Sequence, residues 1–283
     1  MILPLSITGK TQIYGIIGYP IAHTFSPPLQ NAAFQAIQID AAYLPFEVHP
    51  KKLKAAIAGI KSLQIRGINV TVPHKVHVVP FLDEVTPTAQ RIGAVNTILN
   101  NHGRLIGTNT DGQGFIRSLS ELPFTPQDKT IVILGAGGST RSIVVALAEA
   151  NAKQIFLVNR TIAKAKHLVE EFSPVFPQTQ LRAEQIENLY SLPIDLFVNT
   201  TSVGMEGDKS PADLNQFKIL HYVADIIYTP QQTALLKQAK QLNIPFINGL
   251  GMLLYQGCEA FEFWTQQSAP TALMKTTLMK LLN

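Results

Sequence analysis

The sequence predicts an α/β fold made of two domains, and three observations support this prediction. Short apolar runs alternate with helical patterns along most of the chain, which is typical of βαβ units. A glycine-rich turn at residues 135–138 directly follows an apolar run and opens a helical pattern, as in doubly wound nucleotide-binding sheets. The length of 283 residues agrees with two domains of roughly 150 residues each.

The elements of the first domain follow from hydrophobic periodicity. Strands are predicted at residues 14–17, 42–46 and 68–72, and helices at residues 27–37 and 53–63. Strands of this length that are separated by helices need crossover connections. The first domain should therefore contain a mainly parallel sheet.

A second series of elements begins after the proline-containing segment 122–127. Its predicted strands lie at residues 130–134, 154–158, 195–199, 222–225 and 246–248, and its predicted helices at residues 139–150, 162–172 and 231–242. This order predicts a Rossmann-like nucleotide-binding domain.

Two final helices, at residues 252–264 and 271–282, have no strand after them. We expect them to return to the first domain, so that both domains border one cleft. The predicted division assigns residues 1–108 and 249–283 to a substrate-binding and catalytic domain, and residues 109–248 to the nucleotide-binding domain. Glycines in the segment 108–114 and near residues 249–251 could serve as hinges that close the domains on a ligand.

Composition excludes several classes of protein. The formal charge is +4, but the 23 Lys and Arg residues form no cluster of the kind that binds nucleic acid. Cys258 is the one cysteine, which excludes an internal disulfide and a multi-cysteine zinc site. The histidines lack metal-ligand spacing, so no metal is expected.

The N-terminal residues include Pro4 and Ser6 and do not form the basic region followed by an apolar region that a signal peptide has. No run of about 18 apolar residues occurs. We therefore expect a cytoplasmic protein that binds small molecules and no membrane, as a monomer or a homodimer.

The glycine-rich turn predicts a cofactor site. Glycines let the backbone approach a pyrophosphate, which the unpaired amides at a helix N-terminus then bind. About 20 residues further on, an NAD-binding domain carries an acidic residue, whereas this sequence has Asn159, Arg160 and Thr161, followed by Lys164. The cations favour a 2′-phosphate, and hence NADP. The alternatives are an ordinary turn and a helix start capped by Thr161 with solvated charges.

Two further motifs are the segment 69–75, which reads NVTVPHK, and the segment 109–115, which reads NTDGQGF. Both resemble motifs of the shikimate dehydrogenase family. In that family the lysine of the first motif is the acid and base, so the resemblance implies that Lys75 and Asp111 are catalytic. Reduction of a ketone needs such a proton donor. Without the resemblance, Lys75 would be a solvated lysine and Asp111 a helix cap.

The resemblance extends, in order and with family-like spacing, from about residue 15 to residue 264. It implies that substrate is bound by Thr24, Ser26, Thr71, Lys75, Asn96, Asp111, Tyr228 and Gln256. Together with the glycine-rich turn, it implies that NADP is bound by Gly135, Ala136, Gly137, Gly138, Ser139, Asn159, Arg160, Thr161, Lys164, Thr200, Ser202, Ile226, Gly249 and Met252.

The activity that the resemblance implies is NADPH-dependent, reversible reduction of 3-dehydroshikimate to shikimate, a step toward chorismate and the aromatic amino acids. Thr24 stands where the family usually has serine, which leaves a quinate/shikimate dehydrogenase, or a shikimate dehydrogenase-like paralogue, open as the alternative. Ser26, followed by Pro27, would also be a good helix cap. A non-catalytic NADP-binding sensor is a further alternative, although such a sensor would be expected to lack Lys75 or Asp111.

Overall fold

The structure is a computed structural model that describes residues 7–282. The N-terminal segment 1–6, on which the expectation of no signal peptide partly rests, lies outside the described residues. The described residues form two compact units. One unit runs up to Gly114 and resumes at Leu254, and the other is Phe115–Leu253.

The first unit contains a six-stranded sheet and the helices that pack on it. Its strands are β1 (Gln12–Gly18), β2 (Ala41–Glu47), β3 (Gly67–Val70), β4 (Glu84–Val85), β5 (Thr97–Asn101) and β6 (Arg104–Thr108). Its first three helices are α1 (Ser26–Ala36), α2 (Leu53–Ser62) and α3 (Pro87–Ile92). The strand order is β2-β1-β3-β5-β6-β4. Strands β1, β2 and β3 pair in parallel, as predicted, whereas β5 pairs antiparallel with both β3 and β6.

The hairpin of β5 and β6 was not predicted from the sequence. Its two-residue turn consists of His102 and Gly103, which adopt φ values of 51° and 92°. Positive φ at both central positions is what a tight hairpin turn of the primed type requires. Asn100 Oδ1 accepts a hydrogen bond of 2.8 Å from the Gly103 amide, which holds the turn. The signal in the sequence was Gly103 between two short β-forming runs.

The second unit is built on a six-stranded sheet in which all pairs are parallel. Its strands are β7 (Thr130–Leu134), β8 (Gln154–Val158), β9 (Gln180–Ala183), β10 (Pro193–Asn199), β11 (Ile219–Asp225) and β12 (Phe246–Ile247). Helices α5 (Gly138–Glu149), α6 (Ile162–Phe172) and α7 (Ala234–Gln241) lie in this unit, and α4 (Asp111–Leu119) begins in the first unit and continues into this one. The C-terminal helices are α8 (Leu250–Thr265) and α9 (Thr271–Lys280). The order β12-β11-β10-β7-β8-β9 is that of a Rossmann-like sheet, which confirms the predicted fold class.

The C-terminal helices return to the first unit, as predicted. The Trp264 indole N–H donates a hydrogen bond of 2.9 Å to the carbonyl of Ile98 on β5. The rings of Phe261 and Phe34 lie 5.2 Å apart, and Phe261 is completely buried. Aromatic packing of this kind contributes beyond the area that it buries, and it joins α8 to α1 in one core.

Within residues 7–282, no helix combines the length and the apolar sequence that crossing a membrane requires. Nor does this part of the chain hold a group of three or more His, Cys, Asp or Glu side chains that could bind a metal ion. Cys258 is buried, with its sulfur 3.6 Å from that of Met274.

Candidate active site

The turn that follows β3 carries Lys75. A hydrogen bond of 2.8 Å from the amide of Val95 to the carbonyl of Lys75 holds the backbone of this turn. The neighbouring His74 is buried, and its Nε2 lies 2.7 Å from the carbonyl oxygen of Val48. Burial lowers the pKa of His74, so the ring stays neutral and donates to that carbonyl. His74 therefore fixes the turn.

Lys75 and Asp111 meet in the first unit. Lys75 Nζ lies 2.7 Å from Asp111 Oδ2, and the two side chains are only 11% and 5% exposed. A charge-assisted contact at this distance in a nearly dry site is far stronger than a surface ion pair. Lys75 is thus not the solvated lysine that the residue type alone suggests.

Asp111 is free for this contact because another side chain caps helix α4. Asn109 Oδ1 accepts a hydrogen bond of 3.1 Å from the Asp111 amide, at the first residue of the helix. Asp111 Oδ1 accepts a hydrogen bond of 2.9 Å from Asn96 Nδ2. Both carboxylate oxygens therefore contact other side chains, those of Lys75 and Asn96, and the alternative that Asp111 is mainly a helix cap is wrong.

Asn96 contacts two other predicted substrate-binding residues, Asp111 and Gln256. Its Oδ1 accepts a hydrogen bond of 2.9 Å from the amide of Thr110, which fixes the orientation of the side chain. Its Nδ2 then faces Asp111 Oδ1 and, at 3.5 Å, Oε1 of Gln256. The Thr110 hydroxyl donates a hydrogen bond of 3.0 Å to the carbonyl of Gln256. The structure therefore brings Asn96, Asp111 and Gln256 together.

A buried amide on β3 supports the main chain beside this group, and no role was predicted for it from the sequence. Asn69, on β3, donates hydrogen bonds of 3.2 Å and 3.1 Å to the carbonyl of Asn96 and the hydroxyl of Thr97. Its Oδ1 accepts a hydrogen bond of 2.6 Å from the hydroxyl of Tyr43. Buried amides of this kind need such partners. The one sequence signal was Asn69 within an otherwise apolar strand.

Thr24 and Ser26 lie at the start of α1. The Thr24 hydroxyl accepts a hydrogen bond of 3.2 Å from the Ser26 amide. Ser26 is the first helical residue, and the N-cap residue is Phe25. The alternative interpretation, in which Ser26 caps the helix, is therefore wrong. Burial raises the pKa of Tyr43, and a hydrogen bond between Tyr43 and Ser26 partly opposes that effect. The Ser26 hydroxyl is therefore held beside a neutral phenol.

Thr71 directly follows β3. Its methyl group packs against Gly18, where an added Cβ would lie 2.5 Å from Thr71 Cγ2. Glycine is therefore required at position 18 because the end of β1 and the residue after β3 approach each other closely. It lets Thr71 adopt its position beyond the strand end.

The predicted cofactor loop follows β7 in the second unit. Gly135 has a φ of 122°, and a Cβ there would meet the hydroxyl of Thr200. A Cβ at Gly137 would have nothing within 4 Å, so the backbone at the start of α5 is open to a ligand. Thr140 stands where related loops usually have glycine. Its hydroxyl accepts a hydrogen bond of 3.0 Å from the Gly137 amide and lies 2.7 Å from the Thr200 hydroxyl.

Asn159, Arg160, Thr161 and Lys164 lie at the carboxyl end of β8 and the start of α6. Asn159 Nδ2 donates a hydrogen bond of 2.9 Å to the carbonyl of Thr161. Thr161 is the N-cap residue of α6, although its side chain makes no capping hydrogen bond. Arg160 and Lys164 are exposed. Across residues 7–282, no ion pair is found for either cation.

The remaining predicted positions of the second unit follow β10, β11 and β12. Thr200 donates a hydrogen bond of 2.6 Å to the carbonyl of Leu134, and Ser202 is exposed in the next turn. The backbone of Gly249 packs so closely on Ile226 that a Cβ would collide with its carbonyl. Tyr228 is half-buried, and burial raises its pKa. Met252 is buried in the first turns of α8.

Asp225, at the end of β11, is a buried carboxylate to which the sequence analysis gave no role. It accepts hydrogen bonds from the Ile227 amide at 3.1 Å, Asn199 Nδ2 at 3.1 Å and the Thr233 hydroxyl at 2.8 Å. Burial nevertheless raises its pKa to about 6. These contacts fix the chain on both sides of Ile226.

The residues of this unit fit a dinucleotide that carries a 2′-phosphate. An open glycine backbone lies at the N-terminus of α5, where the helix dipole favours a pyrophosphate. Two exposed cations follow the next strand, and no carboxylate stands among residues 159–164 to bind a 2′-hydroxyl.

Three family models match the chain. They are the shikimate dehydrogenase substrate binding domain over residues 16–98, shikimate / quinate 5-dehydrogenase over residues 119–201, and the shikimate 5′-dehydrogenase C-terminal domain over residues 249–279. The matched segments together cover most of the chain.

Individual proteins agree with the family models. Shikimate dehydrogenase (NADP(+)) of Desulforamulus reducens is 45% identical, over 97% of each chain. The crystal structure of shikimate 5-dehydrogenase from Thermus thermophilus, in complex with NADP(H) and shikimate, has a TM-score of 0.86 at 33% identity, covering 95% of this chain and 99% of that one. The 5-ketofructose reductase of a Gluconobacter species has a TM-score of 0.86 at 34% identity, covering 97% and 100%.

Proposed function

The chain belongs to the shikimate dehydrogenase family, and we propose that Lys75 and Asp111 are the acid–base pair with which it works. The enzyme is an NADP-dependent oxidoreductase that interconverts 3-dehydroshikimate and shikimate in the aromatic amino acid pathway. The observation that supports the proposed pair is the contact of 2.7 Å between Lys75 Nζ and Asp111 Oδ2 in a nearly dry site.

The reaction adds a hydride to the ring ketone carbon and a proton to its oxygen. NADPH, when bound, supplies the hydride. The Lys75 ammonium donates the proton to the oxygen as the C–O double bond becomes single, and the neutral amine takes that proton back in the reverse reaction. A solvent-excluded ammonium also stabilises the negative charge that develops on the oxygen.

Asp111 keeps the amine of Lys75 in position for this transfer. Its Oδ2 binds Nζ, while Asn96 holds Oδ1 at 2.9 Å, so the carboxylate cannot rotate away. When Lys75 has lost its proton, the same Oδ2 still accepts a hydrogen bond from the amine and from a substrate hydroxyl. The pair therefore also orients the ring.

Substrate recognition is proposed to use the hydroxyls and amides described above. Thr24, Ser26 and Tyr228 would hold the carboxylate, and Thr71, Asn96 and Gln256 the ring hydroxyls. A wrong ligand that leaves one such buried group unpaired costs roughly 1 to 3 kcal/mol. Within the first unit, the grouping of Asn96, Asp111 and Gln256 supports this assignment.

NADP is proposed to be held by the residues of the second unit. The loop residues Gly135, Ala136, Gly137, Gly138 and Ser139 would bind the pyrophosphate. Asn159, Arg160, Thr161 and Lys164 would bind the ribose 2′-phosphate, and Thr200, Ser202, Ile226, Gly249 and Met252 would line the nicotinamide side. The open backbone at Gly137 and the exposed cations support this assignment.

The substrate and cofactor can be tested together by following NADPH absorbance with purified protein. We expect rapid oxidation of NADPH with 3-dehydroshikimate, and in the reverse direction a higher kcat/KM for shikimate with NADP than for quinate or with NAD. 5-Ketofructose belongs in the same series because a relative with this fold reduces it. A higher kcat/KM for quinate with NAD, or for 5-ketofructose, would contradict the assignment.

We also propose that the protein is cytoplasmic and works as a monomer or a homodimer. The single cysteine supports a reducing compartment. Cell fractionation tests the first statement, and light scattering of the purified protein tests the second.

A further inference from the structure

A second pocket lies in the second unit, at the amino ends of the strands. It has a volume of about 600 Å³, which is within the range of roughly 300 to 1,000 Å³ for small-molecule sites. Lys129, which precedes β7, and Pro245, which precedes β12, both line it. The glycine loop follows the carboxyl end of β7, so the pocket is at the opposite edge of the sheet and shares no residue with the proposed cofactor site.

One end of the pocket carries three charged or titratable groups. Lys129 Nζ and His221 Nδ1 each lie 3.5 Å from Asp195 Oδ1. Asp195 Oδ2 accepts a hydrogen bond of 2.9 Å from the amide of Thr130, which fixes the carboxylate. Within residues 7–282, neither the Lys129 ammonium nor the His221 ring makes a hydrogen bond to the protein. Both keep donors for a ligand.

The other side of the pocket is apolar and aromatic. The rings of Phe124 and Tyr222 lie 5.4 Å apart, edge to face, and the Tyr222 hydroxyl donates to the carbonyl of Pro123 at 3.2 Å. These contacts hold the Tyr222 ring in place. Leu242 and Ile244 complete this wall, and Leu242 is 38% exposed. Apolar surface is therefore left in contact with water, and a ligand would cover it.

The mixture of charges selects the class of ligand. A simple anion at Lys129 and His221 would lie beside the Asp195 carboxylate, and a simple cation at Asp195 would lie beside Lys129. A zwitterion avoids both repulsions. We propose that this pocket binds a free α-amino acid with an apolar side chain. Its carboxylate faces Lys129 and His221, its ammonium faces Asp195, and its side chain contacts the wall formed by Phe124, Leu242 and Ile244.

Matched ligands test this proposal on the protein saturated with NADPH. Leucine is compared by calorimetry and ligand-observed NMR with 4-methylpentanoate, which lacks the amino group, with 3-methylbutylamine, which lacks the carboxylate, and with glycine, which lacks the side chain. We expect leucine to bind at one site, roughly tenfold tighter than each of the other three, since each lacks one charge-assisted contact or the buried side chain.

Variants locate the site. Lys129→Met and Asp195→Asn should each weaken leucine binding by roughly tenfold or more. The asparagine keeps an oxygen for the Thr130 amide, so this variant should remain folded. Lys153→Met is the matched control: Lys153 is exposed, precedes β8 at the same edge of the sheet, and does not line the pocket. Its leucine affinity should be unchanged.

Three results would overturn the proposal. They are the absence of saturable leucine binding, equal binding of leucine and 4-methylpentanoate, and equal leucine affinity in Lys129→Met and the wild type. Release of NADPH by leucine would also contradict it, because the pocket and the glycine loop lie at opposite edges of the sheet.

Discussion

At the scale of single residues, Asn109 shows how a neighbouring side chain leaves the proposed catalytic carboxylate of Asp111 available. A helix N-terminus needs a side-chain acceptor, and Asp is among the preferred residues there. Here Asn109 provides that acceptor for the Asp111 amide, and both oxygens of Asp111 are left for Lys75 and Asn96. The sequence alone offered both roles for Asp111, because the direction of a side chain is decided by packing.

Asp225 gives the protein a pH-dependent stability. Its pKa is raised from 3.8 to about 6 in the folded state, so folding favours the protonated carboxyl. This contribution is fully present below about pH 4 and is lost as the pH rises through 6. This rise in the pKa of Asp225 corresponds to about 3 kcal/mol of folding free energy.

Asp225→Asn should remove this dependence. The amide is neutral at every pH, and the hydroxyl of Thr233, which now donates to Asp225 Oδ2, can rotate to accept from it. Between pH 4 and pH 7, we expect the free energy of unfolding of the wild type to fall by about 2 to 3 kcal/mol relative to the variant. Urea unfolding at several pH values measures this difference. Parallel curves for the two proteins would show that Asp225 titrates normally.

Arg160 is expected to decide the choice of cofactor. Its side chain is exposed, so Arg160→Ala should leave the fold unchanged. Loss of a charge-assisted contact to the 2′-phosphate should raise the KM for NADP by about ten- to a hundredfold and leave the KM for NAD almost unchanged. Steady-state kinetics with both cofactors measures the ratio. An equal effect on NADP and NAD would exclude a specific role at the 2′-phosphate.

At the scale of elements, the glycine loop and helix α2 allow a matched comparison. A Cβ at Gly137, before α5, and a Cβ at Gly59, within α2, would each have nothing within 4 Å. Gly59→Ala should stabilise the protein by about 0.5 to 1 kcal/mol, as alanine does in helices. Gly137→Ala should fold normally but bind NADPH at least roughly tenfold more weakly, because the methyl group occupies the path to the backbone amides.

Thermal unfolding and NADPH titration of the two variants give the readouts. If Gly137→Ala bound NADPH as tightly as Gly59→Ala, the pyrophosphate could not lie on this loop. The loop itself was predictable, because a strand, three glycines and a helix follow one another in the sequence. The hydroxyl contact between Thr140 and Thr200 was not, since it joins residues that are far apart in the chain.

The hairpin of β5 and β6 marks the limit of prediction at this scale. The hydrophobic pattern does not mark β5 as a strand, because its buried positions include the polar residues Thr97 and Asn100. Pairing with β3 and β6, rather than local propensity, makes this segment a strand. By contrast, five of the six strands of the second unit lie in apolar runs separated by helical patterns, so periodicity predicted them. Strand β9, in which Leu181 is the one buried residue, was not predicted.

At the scale of the whole molecule, the path of the chain was predictable in outline. The chain leaves the first unit after Gly114 and returns to it at Leu254, whereas the sequence predicted domain divisions at residues 108 and 248. The return was inferred because α8 and α9 have no further strand to cover. Chain order thus predicted which segments share a core. It could not give the distance between two side chains, such as Lys75 and Asp111, that lie 36 residues apart in the sequence.

The central claim is that Lys75 transfers the proton with Asp111 beside it. The most direct test is kcat for 3-dehydroshikimate reduction by Lys75→Ala, with Lys51→Ala, an exposed lysine of the same unit, as the control. We predict that kcat falls by about 10² to 10⁴ in Lys75→Ala, with NADPH affinity within about twofold of the wild type and no change in Lys51→Ala. A Lys75→Ala variant that reduced 3-dehydroshikimate at the wild-type rate would contradict the account.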